Sequence, residues 1–243
     1  VFVICSIGHW GAYFFICPSI SSRLSTTPFT TFSVKLWSLY SGAKALKLYL
    51  IISILLIQFN LNTEIKNQSY QKAYFASGCF WCVEGIYENL NGVIEVNSGY
   101  SGGFTKNPNY DQVISGRTGH AETVEVIYDS NKIDFKILVE VFFGSHDPST
   151  LNRQGPDRGT QYRSIAFYNS NNEKSIIKNE IDRLLKNKTY NEITTEIKPF
   201  KVFYIAEDYH QDYKKNNPYD LYMIKVSAPR INKFKLNFPD LIK

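Results

Sequence analysis

Two hydrophobic periods alternate along the 243-residue chain from residue 72 onward, and they limit the folds open to it. Residues 121–129 alternate with the two-residue period of a strand, whereas residues 83–90 place apolar side chains every three or four positions, as one helix face does. The helical period returns in residues 135–142 and 177–185. Because strands and helices interleave without the glycine pattern of a dinucleotide-binding fold, we predict an α/β two-layer sandwich, with helices packed on a mixed sheet.

Residues 1–62 have a different composition. We expect residues 1–45 to be a leader or disordered segment, because their Ser/Thr-rich part follows neither period, and their presence in the mature protein is left open. Residues 46–62 carry an apolar run that suits a signal peptide or an anchor and is short for a membrane span of about 20 residues. A buried helix is the alternative. Export, to a periplasmic or membrane-anchored state, is favoured over a cytoplasmic location.

The distribution of charge argues against a nucleic-acid partner. The formal net charge is +5, but residues 1–60 hold four basic residues and no acidic one. Of the 27 basic and 22 acidic residues of the whole chain, 23 and 22 therefore fall in residues 61–243. This part is nearly neutral and has no basic stripe that could bind phosphates, so we exclude nucleic acid.

Cys79 and Cys82 are the only cysteines after Cys17 and lie in the segment ASGCFWCVEG. If a strand ends near Ser77 and a helix starts near Cys79, the Cys79 sulfur lies at a helix N-terminus. Backbone N–H groups and the helix dipole there stabilise a thiolate, so we expect its pKa to fall below about 8.5. This makes Cys79 a candidate nucleophile and Cys82, one turn further on, a possible resolving thiol.

Other interpretations of the cysteine pair stay open at this point. Zinc usually needs four ligands, and His120, His146 and His210 do not have zinc-site spacing, so we expect no metal. Two inert, buried cysteines are a plainer alternative.

Four polar residues elsewhere could serve the same chemistry. Glu122 shares a strand face with apolar residues, so its carboxyl group would be buried, protonated near neutrality and able to act as a general acid. The alternative is a strand end that reaches solvent. Tyr110 and Tyr162 could donate hydrogen bonds to a substrate oxygen, although either could be an ordinary core or surface tyrosine. We expect Tyr162 to open a strand. Asp157 lies in a loop bracketed by glycines.

Together these groups suit attack on an electrophilic sulfur atom whose oxygen must leave as water. A thiolate would attack, a carboxylic acid would supply a proton, and hydroxyl groups would bind the oxygen. The rings of Phe80 and Trp81 would hold an S-methyl group, since sulfur and methyl contacts with aromatic rings are favourable.

Five motifs in residues 72–218 carry a resemblance to a known family: GCFWCVE, GYSGGFTKNPNY, GHAETVEVIYD, HDPSTLNRQGPDRGTQYRS and AEDYHQDYKKNNP. In order and spacing they resemble the A-type peptide methionine sulfoxide reductases. The resemblance implies a compact α/β sandwich with a ferredoxin-like core, a surface basin, no bound cofactor, and reduction of the S-epimer of methionine sulfoxide, free or in proteins.

The resemblance also implies a role for each matching residue. Cys79 corresponds to the nucleophile whose attack releases methionine and leaves a sulfenic acid. Phe80 and Trp81 correspond to the pocket for the substrate methyl group. The remaining matches are the proton donor Glu122, the hydrogen-bonding Tyr110 and Tyr162, Asp157 of the substrate network, and His210 in a supporting position.

The C-terminal tail, residues 219–243, departs from the family pattern. Many relatives carry resolving cysteines there, but no cysteine follows Cys82 in this chain. We predict that Cys82 resolves the sulfenic acid, although an external thiol, thioredoxin or glutaredoxin could reduce it directly. The expected partners are oxidised methionine and thioredoxin or another thiol reductant, and the expected state is a monomer.

Two other functions are weighed against the reductase. A general thiol–disulfide oxidoreductase would share the cysteine pair but would explain neither Glu122 nor the tyrosines. A secreted binding module would use the cysteines as a structural bridge. A test with the two epimers of a methionine sulfoxide peptide separates the three.

Overall fold

The computed structural model describes residues 47, 48, 50–56 and 69–243. The chain divides into two units, Val1–Thr63 and Glu64–Lys243. The described residues of the first unit are helical. No helix within the described part of the chain has both the length and the apolar character to cross a membrane. The predicted leader lies outside the described residues and the apolar segment is described only in part, so both stay predictions, as does export.

A mixed six-stranded sheet forms the frame of the second unit. Across the sheet its strands follow the order β7 (Glu196–Pro199), β6 (Ser164–Tyr168), β1 (Tyr70–Ser77), β3 (Ala121–Asp129), β2 (Val93–Ser101) and β8 (Phe203–Ile205). Only the β6–β7 pair is parallel. Two short strands, β4 (Arg153–Gln154) and β5 (Asp157–Arg158), form a separate hairpin.

Helices connect the strands and pack on the sheet. They are α1 (Phe80–Tyr87), α2 (Tyr110–Ile114), α3 (Phe135–Gly144), α4 (Asn171–Lys186), α5 (Tyr213–Asn216) and α6 (Ala228–Asn237). The series β1–α1–β2–β3–α3–β6 gives four adjacent antiparallel strands in the order β6-β1-β3-β2, with a helix in each crossover. This is the ferredoxin-like arrangement. The predicted α/β sandwich with a ferredoxin-like core is confirmed.

The sheet is strongly curled. The placement of residues 194–205 in this sheet differs from the prediction. That stretch reads as one strand or one hairpin arm, but its two strands, β7 and β8, lie at opposite edges of the sheet. Four peptide steps separate Pro199 from Phe203, and four steps span at most about 14 Å. The two edges must therefore approach each other. Pro199 ends the edge strand β7, where the absence of an N–H group is tolerated.

An aromatic cluster between the sheet and two helices fills the core. The ring of Phe75, on β1, is fully buried and lies 5.3 Å from the ring centroid of Tyr87 on α1 and 5.2 Å from that of Phe142 on α3. Such ring pairs add to the free energy gained from burial. The cluster holds α1, and with it the turn before α1, on the sheet.

We expect Phe75→Ala to lower the free energy of unfolding by about 3–5 kcal/mol, because it removes a buried ring and leaves a cavity. Urea unfolding followed by circular dichroism measures the loss. Phe104→Ala is the matched control: this ring is 79% exposed, so the change should stay within about 0.5 kcal/mol. Equal losses in the two variants would contradict the assignment of the core.

Candidate active site

The turn between β1 and α1 holds Cys79 at the start of a helix, as the sequence predicts. Ser77 ends β1, and Cys79 is the N-cap residue of α1. Gly78 between them has a φ of +88°, and a Cβ atom there would lie 2.5 Å from the Cβ of Gln154. Glycine is therefore required twice over, for the backbone conformation and for the approach of the β4 strand.

The resting Cys79 thiol is not the thiolate that its helix position suggests. Both Cys79 and Cys82 are buried, free thiols. Burial raises the pKa of Cys79 well above its usual value, and the hydrogen bond with Cys82 and the Glu122 carboxylate raise it further. The expectation of a lowered pKa is wrong. Removing the sulfur from water destabilises the thiolate by more free energy than the N-terminus of a short helix provides to stabilise it.

The pKa of Cys82 shifts in the opposite direction. The hydrogen bond from Cys79 lowers the pKa of Cys82 to about 6 against the opposing effect of burial, and the Arg230 guanidinium lowers it further. The two thiols are therefore coupled, and the pKa of Cys82 shifts down while that of Cys79 shifts up.

Glu122 is a buried carboxylic acid beside this turn. It lies on β3 with 2% of its surface exposed, and its Oε2 accepts a hydrogen bond from the backbone N–H of Phe80 at 3.0 Å. Burial raises the pKa of Glu122 to about 8; the hydrogen bond from Phe80 opposes this shift, and the Asp157 carboxylate adds to it. The predicted burial is confirmed, and at pH 7 the group carries a proton that it can donate.

Tyr110 and Tyr162 lie near this carboxyl group. Burial raises the pKa of both phenols, to about 12 for Tyr110, and the Glu122 carboxylate is a further cause for each. Tyr110 begins α2, and its backbone N–H donates to Oε1 of Glu207 at 2.9 Å. Tyr162 does not open a strand as expected; it ends the 3₁₀ turn Thr160–Tyr162 that precedes β6. The composition of residues 160–162 is ordinary for a turn, so the sequence did not indicate this short 3₁₀ helix.

Several aromatic side chains pack beside the turn that carries Cys79. The ring centroids of Phe80 and His210 are 4.9 Å apart, and those of Tyr110 and His210 are 4.5 Å apart. The indole Nε1 of Trp81 donates to Nδ1 of His210 at 3.2 Å, and Tyr213 stacks on the indole at 3.7 Å. His210, whose pKa is lowered by burial, thus serves as a neutral acceptor that orients Trp81.

The C-terminal tail contributes residues that the sequence did not point to. Tyr222 donates its hydroxyl hydrogen to Oδ2 of Asp157 at 2.6 Å, and its ring meets Trp81 edge-on at 6.2 Å. Arg230 on α6 reaches back to the carbonyl oxygen of Ser77. Nothing marks Tyr222 among 17 tyrosines, because only the three-dimensional path of the tail brings it here.

One cluster within the described residues has the spacing of metal ligands: Glu84, Glu88 and Asp212. The Lys215 ammonium group forms ion pairs with both Glu88 and Asp212. It therefore already supplies the positive charge that such a cluster needs.

Known proteins resemble the second unit of this chain. A family model for peptide methionine sulfoxide reductase matches residues 71–241. The peptide methionine sulfoxide reductase MsrA of Saccharolobus solfataricus is 47% identical over 171 residues, covering 70% of this chain and 96% of the relative. The MsrA of Trichodesmium erythraeum is 48% identical over 166 residues, covering 68% of this chain and 94% of the relative.

Two solved structures share the fold of the second unit of this chain. Reduced Mxr1 from Saccharomyces cerevisiae is 36% identical with a TM-score of 0.59, covering 62% of this chain and 87% of that chain. Methionine sulfoxide reductase A of Corynebacterium diphtheriae is also 36% identical, with a TM-score of 0.56 and coverage of 62% and 76%.

Burial of Glu122 predicts a pH-dependent cost to stability. Between its usual pKa of about 4.5 and its folded value of about 8, the folded chain holds a proton that the unfolded chain has lost. Stability therefore falls by about 1.4 kcal/mol per pH unit in this window. We expect Glu122→Gln, which removes the titration, to gain stability relative to wild type as the pH rises from 4 to 8, measured by urea unfolding.

Glu125→Gln on the same strand is the control. The Glu125 carboxylate is paired with Lys72 and accepts a hydrogen bond from Tyr74, so loss of its charge should give no such gain. A difference between Glu122→Gln and wild type that does not change with pH would contradict a raised pKa.

Proposed function

This chain belongs to the peptide methionine sulfoxide reductase family, and we propose that it reduces the S-epimer of methionine sulfoxide through Cys79. Its activity is the return of oxidised methionine, free or in proteins, to methionine, which repairs oxidised proteins. The observation that supports the site assignment best is the buried Glu122 carboxyl group, fixed by the backbone N–H of the residue directly after Cys79.

The carboxyl group and the two tyrosines define where the sulfoxide oxygen binds. A neutral Glu122 and the hydroxyl groups of the partly buried Tyr110 and Tyr162 are donors, and hydrogen bonds are stronger where water is partly excluded. With its oxygen held there, the sulfoxide sulfur faces Cys79. Phe80 and Trp81 then contact the methyl group.

The reaction balances without an external proton. Glu122 protonates the sulfoxide oxygen as the Cys79 sulfur attacks, and the proton of the Cys79 thiol restores the carboxylic acid. The bond between the substrate sulfur and oxygen breaks, and oxygen passes to Cys79 as a sulfenic acid. The substrate sulfur is reduced by two electrons, and the Cys79 sulfur is oxidised by two.

Cys82 resolves the sulfenic acid in this proposal. Its thiolate attacks the Cys79 sulfur, a disulfide forms, and hydroxide leaves and is protonated to water. One helical turn separates the two residues, and their side chains already share a hydrogen bond. We propose thioredoxin or another dithiol as the reductant that then opens the disulfide.

Single-turnover assays with each epimer of a methionine sulfoxide peptide test this order of events. In a Cys5→Ser/Cys17→Ser background, we expect loss of the S-form only, no methionine release from Cys79→Ser, and one equivalent from Cys82→Ser. The Cys82→Ser protein should then accumulate a sulfenic acid that dimedone traps.

Two results would count against the proposal. Turnover of Cys82→Ser with thioredoxin at the wild-type rate would remove Cys82 from the mechanism. Reduction of insulin disulfides without methionine release would indicate a general thiol–disulfide oxidoreductase instead.

The pH profile tests the role of Glu122. We expect Glu122→Gln to lower kcat/KM by about 10²–10⁴ at pH 7, because the amide can donate a hydrogen bond but not a proton. The ratio of wild-type to variant activity should shrink above pH 8, where the wild-type carboxyl group ionises. Glu125→Gln serves as the control, and a ratio that is constant from pH 6 to 9.5 would refute the acid assignment.

A further inference from the structure

Tyr222 and Arg230 of the tail line the same cavity as Cys82, and the buried Ser227 lies between them in the sequence. Tyr222 and Ser227 bracket the π-helical stretch Met223–Ser227, and Arg230 lies in the first turn of α6. Each of the three lowers the pKa of Cys82, after the larger effect of Cys79. Cys82 itself is 1% exposed, so these contacts replace the water that a charged sulfur would otherwise need.

Arg230 is fixed in place on the Cys82 side of the thiol pair. Its Nε donates to the carbonyl oxygen of Ser145 at 2.9 Å, and its Nη2 donates to that of Ser77 at 3.0 Å. These acceptors are neutral carbonyl groups, so the charge of the guanidinium is not cancelled by a carboxylate in either bond. Arg230 and Cys82 both line a cavity of about 780 Å³, and Cys79 does not line it.

Ser227 gives an independent indication. Its hydroxyl oxygen is fully buried and has no hydrogen-bond partner by ordinary geometric criteria among the described residues. A buried hydroxyl without a partner costs free energy. The cost is understandable if the hydroxyl serves an anionic Cys82 sulfur, since Ser227 is one of the residues that lower the pKa of Cys82.

The other ionisable groups that act on Cys82 do not replace Arg230. Cys79 is coupled to Cys82, and the Glu122 carboxyl interacts with Cys82 unfavourably once it ionises. Lys214 is a second cation coupled to Cys82, but burial lowers its pKa, and Cys82 raises that pKa only in part.

We propose that the tail activates a resolving cysteine instead of supplying one: Arg230, with the Ser227 and Tyr222 hydroxyls, holds Cys82 as the thiolate that attacks the Cys79 sulfenic acid. The inference rests on the proposed function. In the step, the Cys82 sulfur forms the disulfide bond, the S–O bond of the sulfenic acid breaks, and the oxygen leaves as water with a proton from Glu122, which regains a proton from solvent. Arg230 is a positioning residue, since it acts through Cys82.

Charge-removing and charge-keeping variants test this role in the full chain with Cys5→Ser and Cys17→Ser. Arg230→Gln keeps a donor for the Ser77 carbonyl and loses the charge, whereas Arg230→Lys keeps the charge. Lys233→Gln, on the same helix and the same cavity, is the matched control. Single turnovers from pH 5 to 9 follow methionine release and, separately, the conversion of sulfenic acid to disulfide by dimedone trapping.

We expect Arg230→Gln to leave methionine release within about twofold and to move the pH midpoint of disulfide formation up by about 1–3 units. Because a less acidic thiol is also a stronger nucleophile, the slowing at pH 6 should be only about two- to tenfold and should vanish by pH 9. Arg230→Lys should shift the midpoint less, and Lys233→Gln should not shift it.

An unchanged midpoint in Arg230→Gln would overturn the inference, as would equal slowing of both steps at every pH, which indicates a structural role only. If Arg230→Gln does not fold, Ser227→Ala decides: its midpoint should also rise, and no rise refutes the proposal. Failure of the wild type to release methionine would instead refute the proposed function, so the two failures are distinct.

Discussion

The hydrogen bond from the Phe80 backbone N–H to Glu122 joins the two halves of the site. One end belongs to the first residue of α1, directly after Cys79, and the other to a central strand of the sheet. A carboxyl group at a helix N-terminus is ordinarily ionised and stabilising. Here burial outweighs that effect, so the contact fixes the acid in position while leaving its proton in place. Orientation and acidity are thus set by one interaction.

Burying these groups lowers the free energy of unfolding, and the surrounding structure has to compensate for that loss. A neutral carboxyl group, a neutral thiol and a thiolate are all removed from water at the end of β1. The aromatic cluster around Phe75 and the required glycine at position 78 hold the turn against that cost. Rigid packing next to the site is therefore a condition for its chemistry, not a separate feature.

Sequence reasoning succeeded where a local pattern carries the information. The parity of Glu122 on its strand and the position of Cys79 before a helix both follow from hydrophobic periods. It failed for the opposite-edge placement of β7 and β8 and for Tyr162, because pairing partners and short 3₁₀ turns leave no period. The direction of the Cys79 pKa shift was missed for a related reason: a helix start is local, whereas burial depends on the whole fold.

The charge balance of the thiol pair connects the tail to the redox cycle. In the reduced state, the Arg230 guanidinium stabilises a negative charge on Cys82. Disulfide formation removes that negative charge and leaves the guanidinium with its carbonyl acceptors and the Asp157 carboxylate. The oxidised form therefore loses an attraction between the guanidinium and the Cys82 thiolate that the reduced form has. Stabilising the thiolate therefore makes the disulfide easier to reduce, which is what an enzyme that must be regenerated by an external dithiol requires.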